Sequence, residues 1–154
     1  MARDVRTTPV PSARPTESFR YIETSALLAA LLEQEPDAKR ALRADGRRIT
    51  SALTTAEAYR AVLRARATGR LSAAQGRTAV RAIQTYLAHC DIVAITDDVL
   101  ASSSRPFPVE PIRTLDAIHL ATAELLGEPP ALITIVTRDA RVQDNAGSLG
   151  YATE

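Results

Sequence analysis

The chain reads as one α/β domain, a central and mostly parallel sheet of four or five short strands layered between helices. Two observations predict this. Short β-rich runs (Phe19 to Ile22, Asp91 to Ile95, Leu132 to Val136) alternate with stretches of helical periodicity, and that alternation is the mark of a parallel sheet covered on both faces. The 154 residues and 45% hydrophobic content suit a single soluble core, with 24% charged residues to solvate it.

Element by element, Phe19-Arg20-Tyr21-Ile22 is a first strand, broken at Glu23-Thr24-Ser25. Ala26 to Leu32 continues as an apolar helix. Pro36-Asp37 opens a second short helix, which ends near Gly46. Arg48 to Ser51 is a short strand, and a helix runs from Thr55 to Ala67. Ser72 caps the next helix, Ala73 to Ala88, where Val80, Ile83 and Leu87 recur at helical spacing. Asp91 to Ile95 is a strand, and Thr96 caps a short helix after it. Arg105 to Pro111 is a proline-rich loop. Thr114 to Leu126 is a strongly apolar helix that stops at Gly127. Leu132 to Val136, rich in β-branched residues, is the clearest strand; Asp139 follows, and a last helix reaches Gly147. Prolines at 9, 11 and 15 make residues 1–18 a flexible arm ahead of a domain over 19–154.

Composition narrows the function. A formal net charge of +1 gives no global basic signature. Lys39 is the lone lysine, so the positive charge is almost all arginine, the better partner for phosphate. A single cysteine, Cys90, excludes an intrachain disulfide and a cysteine-based zinc site, and it fits a cytoplasmic protein. No apolar run approaches the roughly 20 residues of a membrane helix. The N-terminal stretch lacks the apolar middle of a signal peptide. With 4% aromatics and no tryptophan, a base-stacking platform is not expected.

Four acids stand out. Glu23 and Asp139 follow strands, so both belong on the carboxyl rim where open parallel sheets bind ligands. Asp116 sits in an otherwise apolar helix, where a carboxylate needs a partner. Glu57 follows Thr54 by three residues, which also fits a capping box. Individually, helix-end electrostatics explains Glu23 and capping explains Asp139. As a set, four neighbouring carboxylates repel unless cations offset them, and hard oxygen donors suit Mg²⁺ or Mn²⁺. Two such ions would stabilise both the attacking and the leaving oxygen in phosphodiester cleavage.

The segments carrying these acids resemble a known family. They are Tyr21-Ile22-Glu23-Thr24-Ser25-Ala26-Leu27-Leu28, Thr50-Ser51-Ala52-Leu53-Thr54-Thr55-Ala56-Glu57, Arg113-Thr114-Leu115-Asp116-Ala117-Ile118-His119-Leu120-Ala121-Thr122-Ala123 and Val136-Thr137-Arg138-Asp139. Over roughly Tyr21 to Tyr151 the chain resembles the PIN-domain ribonucleases, in particular the VapC-type toxins of bacterial toxin–antitoxin pairs. The resemblance implies a PIN-like three-layer α/β/α fold and metal-dependent cleavage of RNA, leaving 5′-phosphate and 3′-hydroxyl ends. It also implies a homodimer and a small antitoxin protein as partner. Glu23, Glu57, Asp116 and Asp139 match the family's metal-binding acids. Ser25 and Thr137 match its small polar positions beside the first and fourth. One position departs: the family's first acid is usually Asp, and here it is Glu23. The alternative is a weakly active or inactive PIN-like domain used for protein or RNA binding.

The remaining candidates have plainer readings. His119 lies one helical turn from Asp116, and packed histidine competes with metal ligand. His89 and Cys90 end a helix, with a catalytic pair the lesser reading. Arg60, Arg64 and Arg66 follow Glu57, and Arg113 and Arg138 flank the other acids. These arginines suit RNA phosphates, a solvated face or antitoxin docking.

Overall fold

The computed structural model describes residues 17–154, so the arm expected over 1–18 lies outside the described residues except for Glu17 and Ser18. Five strands form one sheet, every pairing parallel: β1 (Phe19–Ile22), β2 (Arg47–Ser51), β3 (Asp91–Val93), β4 (Ile133–Val136) and β5 (Ala152–Thr153). Their order is β3-β2-β1-β4-β5. Successive strands β1 to β3 therefore step outward in one direction, and β4 and β5 in the other. The chain reverses its winding between β1 and β4, and the carboxyl ends of those two strands open the crevice where such sheets bind ligands.

Side chains alternate across the sheet and build two cores. Ile22 and Val136 face α1 (Thr24–Leu31), α2 (Pro36–Arg43), α3 (Ala52–Ala67) and α4 (Ala73–Leu87) through Leu27, Leu42, Val62 and Ile83. The helix α5 (Asp97–Ser103) packs through Val99 against Ile118 and Ala121 of α6 (Thr114–Glu124). Phe19, Tyr21, Ile133 and Ile135 face α6 and α7 (Ala140–Ser148) through Leu120, Val142 and Ala146. Each fully buried aliphatic or aromatic side chain contributes about 1.5–3 kcal/mol, so the two layers fix β1 and β4 firmly at the centre. The three-layer α/β/α fold matches the expectation.

Differences from the sequence reading have local causes. The strand expected to reach Ile95 stops at Val93. It pairs only with β2, and β2 ends at Ser51, where α3 begins. The helix α3 starts at Ala52, three residues early, because Ser51 is its N-cap and accepts a hydrogen bond from Leu53 N at 3.1 Å. Thr54 therefore forms no capping box with Glu57; its hydroxyl is buried and accepts from Thr50 Oγ1 at 2.8 Å. α1 likewise starts at Thr24, two residues early, with Glu23 as N-cap. The two-residue strand β5 is too short to show alternation. Glu154 N donates to Ile135 O at 3.0 Å, and Thr137 N donates to Glu154 O at 2.9 Å.

Candidate active site

Glu23 leaves β1 with its amide donating to Val136 O at 3.0 Å, which carries it to the end of β4. Its carboxylate is buried and curls back over the start of α1. Oε2 accepts from Ser25 N at 3.1 Å, from Thr137 Oγ1 at 2.9 Å and from the Ser25 hydroxyl. A glutamate thus takes the capping role that a shorter aspartate fills directly, and the helix dipole favours its charge. Ser25 and Thr137 both direct their protons at Glu23. Thr137 Oγ1 in turn accepts from Asp139 N at 3.0 Å, and Ser25 Oγ accepts from Arg138 N at 2.7 Å. These hydroxyls tie the first acid to the backbone that bears the fourth.

Glu57 projects from the second turn of α3 toward the same point. Its Oε2 accepts from Thr24 Oγ1 at 2.5 Å and from His119 Nε2 at 2.8 Å. Burial raises the Glu57 carboxyl, but the His119 and Thr24 hydrogen bonds outweigh it and hold the group below its ordinary value. The other His119 nitrogen, Nδ1, lies 3.0 Å from the Tyr21 hydroxyl. The partners are satisfied with Nδ1 accepting from Tyr21 and Nε2 donating to Glu57, an assignment inferred from those partners. His119 is 1% exposed and meets Tyr21 edge to face, with ring centroids 6.1 Å apart. Burial pushes the Tyr21 phenol well above its usual range, so it stays a donor.

The other two acids form a second group. Asp116, 5% exposed in the first turn of α6, has its expected partner in Arg113. Arg113 Nε donates to Asp116 Oδ2 at 2.7 Å, and its terminal nitrogen donates to Oδ1 at 3.2 Å and to Asp139. Asp139 caps α7, accepting from Arg141 N at 2.8 Å. Glu23, Glu57, Asp116 and Asp139 all line one cleft of about 440 Å³, together with Ser25, Arg60, Arg64 and Arg113. Ligand-type atoms of Glu23, Glu57 and the buried His119 behind them lie within 4.8 Å of one another, but with His119 Nε2 donating to Glu57 the atoms open to a cation are the carboxylate oxygens. Oxygen donors dominate this set, and they fit a hard divalent cation.

The remaining candidates separate. Cys90 and His89 turn to their own helix, with Cys90 Sγ donating to Tyr86 O at 3.5 Å and His89 Nδ1 lying 2.8 Å from Thr85 O. Burial pushes the Cys90 thiol up to about 11, far from thiolate chemistry. Arg138 pairs with Glu35 at 3.2 Å, and Arg66 lines a different cavity between α3 and α4. Thr24 and Tyr21 were missed as site residues. The period-2 alternation of β1 was the available signal for Tyr21, since it puts Phe19 and Tyr21 on the face toward α6.

Comparison with known proteins bears on this geometry. Residues 20–148 match the family model for the PIN domain. The ribonuclease VapC46 of Mycobacterium tuberculosis is 40% identical over 134 residues, covering 86% of this chain and 93% of that protein. Among solved structures, the sarcin-ricin-loop-cleaving toxin VapC20 of Mycobacterium tuberculosis superposes with a TM-score of 0.62 at 18% identity, over 86% of this chain and 96% of that one. VapBC2 of Rickettsia felis, bound to a promoter DNA fragment, gives 0.61 at 12% identity, over 88% and 97%. These structural likenesses speak to the fold; the family match and the 40% identity speak to lineage. A sheet that switches direction between β1 and β4, with four carboxylates gathered at that switch, is thus a fold with relatives, and the chain belongs to the PIN-domain family, among the VapC ribonucleases.

Proposed function

We propose that the protein is a divalent-metal-dependent endoribonuclease, the toxin of a toxin–antitoxin pair, working in the cytoplasm on RNA. The observation that carries this is the convergence of Glu23, Glu57, Asp116 and Asp139 on one cleft. These four would hold one or two Mg²⁺ or Mn²⁺ ions. When bound, the cation supplies charge against the phosphate oxygens and lowers the pKa of water that attacks phosphorus in line.

The chain's own residues supply the rest. Ser25 and Thr137 fix the Glu23 carboxylate, and Thr24 and His119 fix Glu57, so neither acid has to reorganise when substrate enters. Arg60 and Arg64 are exposed at the same cleft, placed to meet the RNA backbone while the acids act on one phosphodiester. The protein partner we read is a small antitoxin, supported by the VapBC complexes among the structural neighbours. The family analogy points to a homodimer. Among the described residues no helix is long and apolar enough to cross a membrane.

The test is purified protein against end-labelled RNAs with Mg²⁺, Mn²⁺ or EDTA. Cleavage with either metal, 5′-phosphate products, and loss of cleavage in EDTA and in Glu57→Gln are the expected results. Cleavage that persists in EDTA refutes the metal reading. A pure, folded protein that cuts no RNA with metal supports instead a binding role for the fold.

A further inference from the structure

The two halves of the cleft are held in different ways. Glu23 and Glu57 take their hydrogen bonds from hydroxyls, a backbone amide and an imidazole. Asp116 takes its side-chain hydrogen bonds from a full positive charge, and Asp139 takes one from the same charge besides its cap bond from Arg141 N. Arg113 spans both, holding each oxygen of Asp116 and one oxygen of Asp139. A guanidinium is planar and permanently charged, and it has no lone pair to offer a metal. It is therefore a counter-ion that cannot also be a ligand. Arg113 precedes the first turn of α6 with its side chain 58% exposed, whereas the Asp116 side chain is 7% exposed. The carboxylate is buried and the cation on it is exposed.

We propose that Arg113 is the site's resident counter-ion, keeping Asp116 and Asp139 together and yielding them to a divalent cation only by being displaced. The inference rests on the reading of this cleft as a divalent-cation site. Two positive groups cannot share the same pair of carboxylates without strong repulsion in a partly desolvated cleft. Entry of the ion thus competes with the Arg113 ion pairs, and their strength sets the metal concentration at which the Asp116–Asp139 half is used. Arg113 makes no hydrogen bond with Glu23 or Glu57 and reaches Glu57 only through its charge, so that half feels the competition less.

A group that merely aligns the acids and a group that competes with the metal predict opposite results. Mn²⁺ binding is measured calorimetrically at pH 7 and fixed salt, without RNA, on wild type, Arg113→Ala and Arg113→Lys. Circular dichroism checks folding, and Arg113→Gln serves if the alanine variant is unfolded. The expected result is Mn²⁺ binding about tenfold tighter in Arg113→Ala, a modest factor because the guanidinium is largely exposed and screened. Arg113→Lys, which keeps the charge but cannot fork, falls between. Unchanged or weaker binding in Arg113→Ala overturns the inference and leaves Arg113 an aligning group, with the metal site intact. Absence of Mn²⁺ binding in wild type and all variants overturns the metal reading itself, and the inference with it.

Discussion

His119→Phe tests the buried chain that runs from Tyr21 through His119 to Glu57. The substitution keeps a flat ring of similar size in a site 1% exposed but removes both nitrogens. The contacts of both nitrogens are lost, including the 3.2 Å approach of Nε2 to Thr24 Oγ1. The Tyr21 hydroxyl loses its Nδ1 partner at 3.0 Å, with only the Thr122 and Ser51 hydroxyls near enough to compensate, at about 1–2 kcal/mol. Glu57 loses its imidazole donor at 2.8 Å but keeps Thr24, and its side chain is 24% exposed, so water replaces part of the loss and the cost is about 1 kcal/mol. The greater apolarity of phenylalanine returns a fraction, leaving about 2 kcal/mol of destabilisation. Tyr21→Phe on its own orphans Nδ1 instead and costs about 1–2 kcal/mol. The double variant removes both ends of that bond, so it should be about 1 kcal/mol more stable than the two single effects added together. Urea denaturation reads this as a shift in midpoint at constant slope. A His119→Phe cost below about 0.5 kcal/mol, or strict additivity in the double variant, would refute the network as described.

Other outcomes follow from the same geometry. Glu23→Gln keeps size but removes charge, and should weaken Mn²⁺ binding and RNA cleavage together, while Glu23→Asp retains activity or raises it; wild-type cleavage by Glu23→Gln would reduce this residue to a helix cap. Millimolar Mn²⁺ or Mg²⁺ should raise the melting temperature of the wild type, because a ligand of the native state alone stabilises it, and Asp116→Asn should lose most of that rise. Glu57 has a folded pKa below its unfolded value, so its contribution to stability is complete above about pH 5 and is lost as pH falls through the folded value. Urea midpoints between pH 6 and pH 3 should therefore fall more steeply for wild type than for Glu57→Gln, and parallel curves would contradict the shift. Light scattering at tens of micromolar should show a dimer, and a sole 16.6 kDa species would count against one.

The fold was legible because its signals are local. β-branched runs, helix caps at Ser72 and Thr96, and the stop at Gly127 each depend on neighbours within a few residues. Glu23 and Asp139 were legible as rim residues for the same reason, each lying just beyond a strand. The less legible features depend on distant partners. The Thr54–Glu57 spacing looked like a cap, yet Thr54 turns inward to Thr50 and Glu57 turns to His119, 62 positions away. Thr24 looked like part of a strand break, though its hydroxyl holds Glu57. Arg113 read as a flanking positive charge, and only the packing of α6 beside α7 reveals that it bridges two acids.

The winding reversal between β1 and β4 has a consequence for how this chain can be made safely. Glu23 is anchored by Thr137, 114 residues later, and the partner strand that positions both is the fourth of five. A ribosome emits the β1, β2 and β3 segments, along with Glu23 and Glu57, well before β4 emerges. Parallel pairing across so long a separation is also slow to form. A nascent chain shorter than Asp139 therefore carries three of the acids but no completed cleft. The acidic cleft cannot be assembled before the segment through Asp139 has left the ribosome, and the delay is written into the order of the strands.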